Sequence, residues 1–452
     1  MHNGKEIVII GAGIAGLAAA AKLGEAGLSV LVLEARDRIG GRIFTQKNTT
    51  SEFPIELGAE FIHGLVPEIF EPLLENGSEI TEVEGQSWCV APEGLAPCKF
   101  FPQVDAILEK MNDAAPDESF LAFLERCFPN PDHEQKLEKA KRRAIAYVSG
   151  FNAADPGLVG THWLVRGMRA EKKVEGHRAF RSGNGYEDLL NAFRKRIART
   201  DVRIHTKTIV ERINWKPGQV EVTVHNGNSE AKSVLTTSNV LITVPLAVLK
   251  APSGQLGAIE FVPQLPAEKI ASLGKVETGE IVRVVLQFRD RFWERITPGN
   301  DSPKSLSEMS FLFSEDEFFP TWWTSMPKKL PIITGWAAFR SAEQLGRLDR
   351  SHIIKRSLET LASLVGASLK VIENQLQATY FYDWQRDPFS RGAYSYGKVG
   401  ANAAQKALAA PVANTLFFAG EATDTTGSNG TVHGAIASGY RVAKEIIYAR
   451  HT

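Results

Sequence analysis

Three glycines spaced Gly11-x-Gly13-x-x-Gly16 follow the apolar run Ile7-Val8-Ile9-Ile10, and an acid, Glu34, closes a second apolar run, Val30-Leu31-Val32-Leu33. Where a buried parallel strand turns sharply into a helix, the first glycine permits the turn. The second lets the backbone approach a pyrophosphate, and the third lets the helix lie close on the strand. The helix expected over residues 14–26, with Ile14 and Ala15 in its first turn, aims free N–H groups and its positive dipole end at the phosphates. Glu34, eighteen residues beyond Gly16, suits ribose hydroxyls and repels a 2′-phosphate. Spacing, strand and helix together imply a bound dinucleotide.

The next residues separate one dinucleotide from another. Glu34-Ala35-Arg36-Asp37-Arg38-Ile39-Gly40-Gly41-Arg42 returns two more glycines and further arginines to the phosphate region. A nicotinamide domain has no obvious use for them, whereas a ligand that stays bound and extends past its pyrophosphate does. Here the chain resembles the flavin-dependent amine oxidases, whose Gly-Gly-Arg turn holds the pyrophosphate and flavin side of FAD. A second nucleotide segment lies near the C-terminus. It is a strand ending in Ala419-Gly420-Glu421-Ala422-Thr423, then a helix opened by Gly430-Thr431-Val432-His433-Gly434. A helix N-terminus stabilises the charge that a reduced flavin develops.

The resemblance implies that FAD is held non-covalently by Gly11, Gly13, Ile14, Ala15, Gly16, Glu34, Ala35, Arg36, Gly40, Gly41 and Arg42. It adds Gly58, Ala59, Glu60, Val210, Val244, Trp384, Gly420, Glu421, Thr431 and Val432. Ala393 occupies the place where monoamine oxidases carry the cysteine that bonds the flavin.

Four residues are expected at the substrate face. Gly58-Ala59-Glu60-Phe61-Ile62-His63-Gly64 resembles a segment of polyamine and spermine oxidases, where amino-acid oxidases carry an arginine for the substrate carboxylate. His63 then orients a distal nitrogen or a water, or serves as a satisfied structural histidine; both readings stay open. Asp387-Pro388-x-x-x-Gly392-x-Tyr394-Ser395-Tyr396 resembles the run of polyamine oxidases and lysine-specific histone demethylases, which makes Tyr394 one wall of an aromatic cage. Thr431 matches the second wall, as in the demethylases. Arg283 stands where most family members have a lysine that holds a water against flavin N5. It holds that water, binds a carboxylate, slows reoxidation or sits on a solvated face, and the sequence leaves these open. Lys275 lies nearby but reaches that position only through a sizeable gap.

The activity implied is oxidation of a C–N bond of a polyamine or related amine to an imine by hydride transfer to flavin N5, with O2 reduced to H2O2. An L-amino-acid oxidase and a low-turnover, demethylase-like flavin-binding protein are the alternatives, and a NAD-dependent dehydrogenase is a weaker one.

The elements that position these residues give an α/β fold: a Rossmann-like FAD-binding domain with a discontinuous α+β substrate domain. The expected division puts residues 1–87, 199–255 and 411–452 in the FAD-binding domain, and 88–198 and 256–410 in the substrate domain, with 101–198 rich in helix. Asp117 is expected to cap a helix before Phe120. Strand alternation recurs at Val202-Arg203-Ile204-His205, at Val220-Glu221-Val222-Thr223-Val224, and across about 281–382, with Trp322 and Trp323 in a channel loop. Residues 252–257 and 298–303 are expected surface loops.

At 452 residues, with 52 Lys+Arg against 52 Asp+Glu, the chain has no global field for nucleic acid or an anionic membrane. Cys89, Cys98 and Cys127 show no C-x-x-C spacing, so reduced thiols and no metal site are expected. The first strand begins within about six residues, leaving no room for a signal peptide. No uninterrupted apolar stretch of about 18 residues appears. A cytoplasmic protein acting on a small amine and O2 is expected, without nucleic-acid or membrane partners; monomer and homodimer are both open.

Overall fold

The computed structural model describes residues 6–46, 53–91, 94–129, 135–227, 231–296 and 305–451. Five parallel strands form one sheet, in the order Val202–His205, Val30–Leu33, Ile7–Ile10, Asn239–Ile242 and Leu416–Phe418. Val30–Leu33, Ile7–Ile10 and Leu416–Phe418 are continuously apolar because both faces are covered, whereas the edge strand Val202–His205 alternates and exposes Arg203 and His205. Ile7 and Ile9 share a core with Leu17 of the helix Ile14–Glu25 and Ile436 of the helix Val432–His451, while Val8 and Ile10 pack with Ile213 and Val222 on the other face. That face is covered by a second sheet, ordered Lys232–Thr237, Gln219–Asn226, Thr208–Lys216 and Glu260–Val262. Since the five strands run parallel, the segments that leave them at Gly11, Glu34, Thr243 and Ala419 meet at one sheet edge.

A seven-stranded sheet builds the other half of the cavity wall. Its order is Leu376–Phe381, Ile281–Phe288, Ile332–Ala338, Thr321–Thr324, Met309–Phe313, Gln86–Ala91 and Gly94–Pro97. Three helices, Arg340–Gly346, Arg350–Val365 and Leu369–Gln375, interrupt the stretch expected to be strand-rich. Leu345, Ile353, Leu361 and Ile372 from these helices bury into the same core as Val284 and Leu286. Within the helix-rich stretch lies a strand, Ala179–Ser182, paired with both Ile62–His63 and Ile80–Glu82. It fixes the segment that carries His63.

Three local expectations are corrected. Ser119, not Asp117, caps the helix Phe120–Cys127 by accepting from the Ala122 N–H at 3.2 Å. Asp117 instead accepts from the N–H groups of His162 and Gly400, at 2.9 and 2.7 Å. A capping side chain must sit directly before the first helical residue, and Asp117 lies too far upstream. Trp322 and Trp323 lie on a strand, so they face opposite ways: Trp322 is buried in the core and Trp323 lines the cavity.

Cys89 and Cys98 form a disulfide, contrary to the expected free thiols, with Cα atoms 5.7 Å apart. Their pairing is set by the hairpin of Gln86–Ala91 with Gly94–Pro97, in which Cys89 lies opposite Ala96. A motif spacing does not reveal such a register. Cys127 is free. Residues 252–257 form the expected exposed turn, whereas the loop expected over 298–303 lies outside the described residues. Among the described residues no helix is long and apolar enough to cross a membrane.

Candidate active site

A cavity of about 1060 Å³ runs from the edge of the parallel sheet to the inner face of the seven-stranded sheet. The two glycine turns line it on the side of the parallel sheet. Gly11 has φ +103°, and a Cβ there would come within 2.8 Å of Thr243 Oγ1; one on Gly16 would meet Gly11 O at 2.1 Å. Gly41, at φ +61°, faces Gly13 so closely that a Cβ would lie 3.2 Å from the Gly13 Cα. Two backbones meet bare, which is the cradle a pyrophosphate needs. Thr243, beside the expected Val244, directs its hydroxyl at Ile10 O and Gly11 O, at 2.8 and 2.9 Å.

Polar side chains around the cradle are already engaged with the protein. Glu34 accepts from the Ala12 and Arg36 N–H groups at 2.8 and 2.9 Å. Arg36 turns toward Asp387 and Ser390, at 2.8 Å each. Arg38 lies outside the cavity wall, its guanidinium 4.0 Å from the Phe44 ring and its Nη1 donating to Gly41 O and Ile43 O at 3.0 and 3.2 Å. Arg42 donates to Glu421 at 2.9 Å and to Ala393 O. Glu421 also accepts from the Ser395 hydroxyl and the Gly430 N–H, at 2.6 and 3.1 Å. Ile14, Ala15, Ala35, Gly40, Gly58, Ala59, Val210, Val244, Gly420 and Val432 lie on the cavity wall; Gly16 is packed beneath it. Trp384 joins this wall, its indole N–H donating to Leu57 O at 2.8 Å.

Also on the cavity wall, Tyr394 donates to Phe151 O at 2.6 Å. Burial, helped by Glu421, pushes its phenol above the usual range, so it stays neutral. Gly430 lies against the ring, where a Cβ would be 3.2 Å from Cδ2. Thr431 caps the helix Val432–His451, accepting from the Gly434 N–H at 3.0 Å and donating to Ser428 O at 2.6 Å. His63 stands on the wall 5.2 Å from the Phe151 ring, and burial pushes it down to about 4. His433, absent from the expected site, is likewise pushed to about 4 by burial and then by His63. Both imidazoles are neutral at pH 7.

Arg283 is 4% exposed, which removes the solvated-face reading. It donates to Gly58 O at 2.7 Å and to Glu60, and its guanidinium lies 5.4 Å from the Trp323 ring. Glu60 also accepts from Arg181 Nε at 2.7 Å and the Trp323 indole at 3.0 Å. Burial raises the Glu60 carboxyl, but Arg283 and Arg181 more than offset this and hold it below the ordinary value. Lys275 donates to Val399 O and takes no part in the cavity wall.

A second acid group lies in the same cavity, between the helices Phe100–Leu108 and Thr161–Lys173. Glu171 is exposed at the wall yet enclosed enough that burial, with Asp105, pushes its carboxyl up to about 7. Tyr147, stacked 5.0 Å from Phe151, completes this corner. In sequence, Glu171 sits among Arg169, Lys172 and Lys173 and reads as part of a solvated face.

The family model of flavin containing amine oxidoreductases matches residues 14–80 and 102–447. The chain belongs to this family. FAD is the cofactor of its members, and the bare backbone cradle at Gly11, Gly13 and Gly41 fits it. Among relatives of this amine oxidoreductase, lysine-specific histone demethylase 1 homolog 2 of Arabidopsis thaliana is 29% identical over 98% of the chain. Lysine-specific histone demethylase 2 of Homo sapiens is 28% identical over 98%. The chain spans 58% and 53% of these two proteins. Polyamine oxidase 4 of Oryza sativa subsp. japonica is 27% identical over 97% of the chain and 88% of the relative. Putrescine oxidase bound to putrescine shares the fold, with TM-score 0.79 and 19% identity over 98% of this chain and 99% of that one. Cyclohexylamine oxidase from Brevibacterium oxydans IH-35A superposes with TM-score 0.78 at 19% identity, over the full length of both.

Proposed function

We propose that this chain is an FAD-dependent amine oxidase whose substrate is a small polyamine or related amine carrying a second cationic nitrogen. The observation that carries this reading is the division of the cavity wall: Tyr394 and two neutral imidazoles at one place, and the carboxyl pair Glu171 and Asp105 at another.

FAD, when bound, supplies the acceptor for a hydride from the carbon beside the reacting nitrogen. The glycine turns, Glu34, Arg42 and the N-terminus of the helix Val432–His451 are the groups that would hold it, and Ala393 offers no nucleophile for a covalent link. The aromatic wall around Tyr394 penalises a bare ammonium and so favours the neutral amine. His63 and His433 can accept a hydrogen bond from that amine without adding charge. Glu171 would pair with a distal ammonium, and its carboxyl ionises near neutral pH.

The L-amino-acid reading rested on Arg283 as a carboxylate ligand. Both of its terminal nitrogens are committed to Gly58 O and Glu60, which speaks against that role. The demethylase-like reading draws on Thr431 and on the named relatives. Identification of the chromophore released on denaturation tests the cofactor. Peroxide formation from spermine, phenethylamine and L-amino acids tests the reaction; turnover confined to amino acids contradicts it.

A further inference from the structure

We infer that Arg36, on the dinucleotide side of the cavity, is a positioning residue for Tyr394, acting through Asp387. This rests on the proposed function only in treating Tyr394 as a substrate wall.

Arg36 lies two residues after Glu34, yet its donors cross to a loop more than 350 residues away in sequence. Nε and Nη2 both reach Asp387 Oδ2, at 3.2 and 2.8 Å, and Nη2 also reaches Ser390 Oγ at 2.8 Å. Nη1 is 3.7 Å from Glu34, and the guanidinium lies 5.6 Å from the Phe389 ring. Asp387 is 8% exposed and uses its other oxygen to accept the Phe389 N–H at 2.7 Å, while Tyr382 donates to Oδ2. A carboxylate so placed both folds its own loop and ties it to Arg36.

From Asp387 a relay of backbone bonds runs to Tyr394. The Arg391 N–H donates to Asp387 O at 2.9 Å, Gly392 N–H to Trp384 O at 2.9 Å, and Ala393 N–H to Gly279 O at 2.9 Å. The Gly279 N–H then donates to the carbonyl of Tyr394 at 2.8 Å. Arg391 and Gly392 both have positive φ, +56° and +137°, so the turn has few alternative conformations. The buried pair is therefore the fixed end of a short, over-determined segment whose other end is the Tyr394 ring. Removing the Asp387 charge leaves the Arg36 guanidinium with only the more distant Glu34 as counter-charge and frees the loop that Asp387 holds.

Asp387 is the clean probe because it does not line the cavity. The holoenzyme variants Asp387→Asn and Arg36→Lys are compared with wild type in three measurements: FAD retained per chain, anaerobic flavin reduction by the best amine, and tryptic cleavage after Arg386 and Arg391. We expect Asp387→Asn to keep its FAD while the apparent dissociation constant for the amine rises about tenfold and the limiting rate changes much less. Cleavage in the loop should accelerate. Arg36→Lys keeps the charge but loses the forked contacts to Asp387 and Ser390, and should weaken amine affinity measurably but less than Asp387→Asn does. An Asp387→Asn holoenzyme with wild-type amine affinity and cleavage rate overturns the inference, as does a folded variant whose only defect is lost FAD. If Asp387→Asn does not fold, Arg36→Lys decides. A small but measurable loss of amine affinity with faster cleavage supports positioning, and wild-type values in both overturn it. A wild-type flavin that no amine reduces refutes the proposed function instead, and the cleavage rates still decide the role of Arg36.

Discussion

Arg283 and Glu60 form an ion pair inside the cavity wall, and the same carboxylate takes a second guanidinium from Arg181 at 2.7 Å. One acid thus balances two bases beside the aromatic rings of Phe61 and Trp323. The pair explains how an arginine is tolerated at a buried strand position: its charge is met by Glu60 and its Nη1 and Nη2 by Gly58 O and Glu60, while Nε is buried without a partner.

Replacing Glu60 by Gln leaves two guanidiniums without their counter-charge. We expect the protein to lose about 3 kcal/mol of stability, the size usual for breaking a buried pair, as read from denaturant midpoints. Glu60 titrates below its unfolded value, so its contribution is complete above that value and is lost as pH falls through the folded one. The variant should therefore show a flatter acid limb than wild type.

His63 and His433 give a separate pH dependence. Their folded pKa values, about 4, lie below the value of about 6.5 for an exposed imidazole. Between these values the unfolded chain binds more protons, so stability falls as pH drops from 6.5 toward 4. Thermal melts at pH 7 and pH 5 should differ less in His63→Gln, by the loss of about one proton taken up on unfolding.

Glu171→Gln should raise KM for diamines and polyamines about tenfold while leaving monoamines unchanged, since only the former present a second ammonium. In wild type, the same discrimination should fade as pH falls below about 7, where the Glu171 carboxyl takes up its proton. Steady-state kinetics across a chain-length series measures both effects.

Much of the nucleotide half was legible in the sequence because its signals are local. Gly11, Gly13 and Gly16 lie close together in sequence, and the apolar runs Ile7–Ile10 and Val30–Leu33 that became parallel strands are each continuous. The cavity wall around Glu60 and Arg283 depends on distant partners. Glu60 meets Arg181 and Arg283 from 121 and 223 residues away, a juxtaposition set by the strand Ala179–Ser182 and the seven-stranded sheet and by no spacing. Glu171 resembled a solvated charge because its neighbours in sequence are basic, while its neighbours in space are Asp105 and Tyr147. Arg36 reads as a cofactor residue from its place in the glycine-rich turn and lines the cavity, but the partners its side chain reaches, Asp387 and Ser390, lie in the distant loop before Tyr394.

The disulfide is open to a direct check. Closing a loop with a sequence separation of 9 should stabilise by about 2–3 kcal/mol on chain-entropy grounds. Denaturation with and without a dithiol reductant reads it, and Cys89→Ser should abolish the difference.

Tyr394→Phe keeps the ring and loses only the bond to Phe151 O, so amine affinity should change by less than about fivefold, whereas Tyr394→Leu removes the wall and should weaken it by tenfold or more.

The most direct measurement is anaerobic titration of the purified protein's flavin with spermine, a monoamine and an L-amino acid, followed by admission of air. The proposed function predicts bleaching by the polyamine, at lower concentration than by the monoamine, and recovery of colour with one peroxide per flavin. Bleaching by the amino acid alone, or by no amine at all, would contradict it.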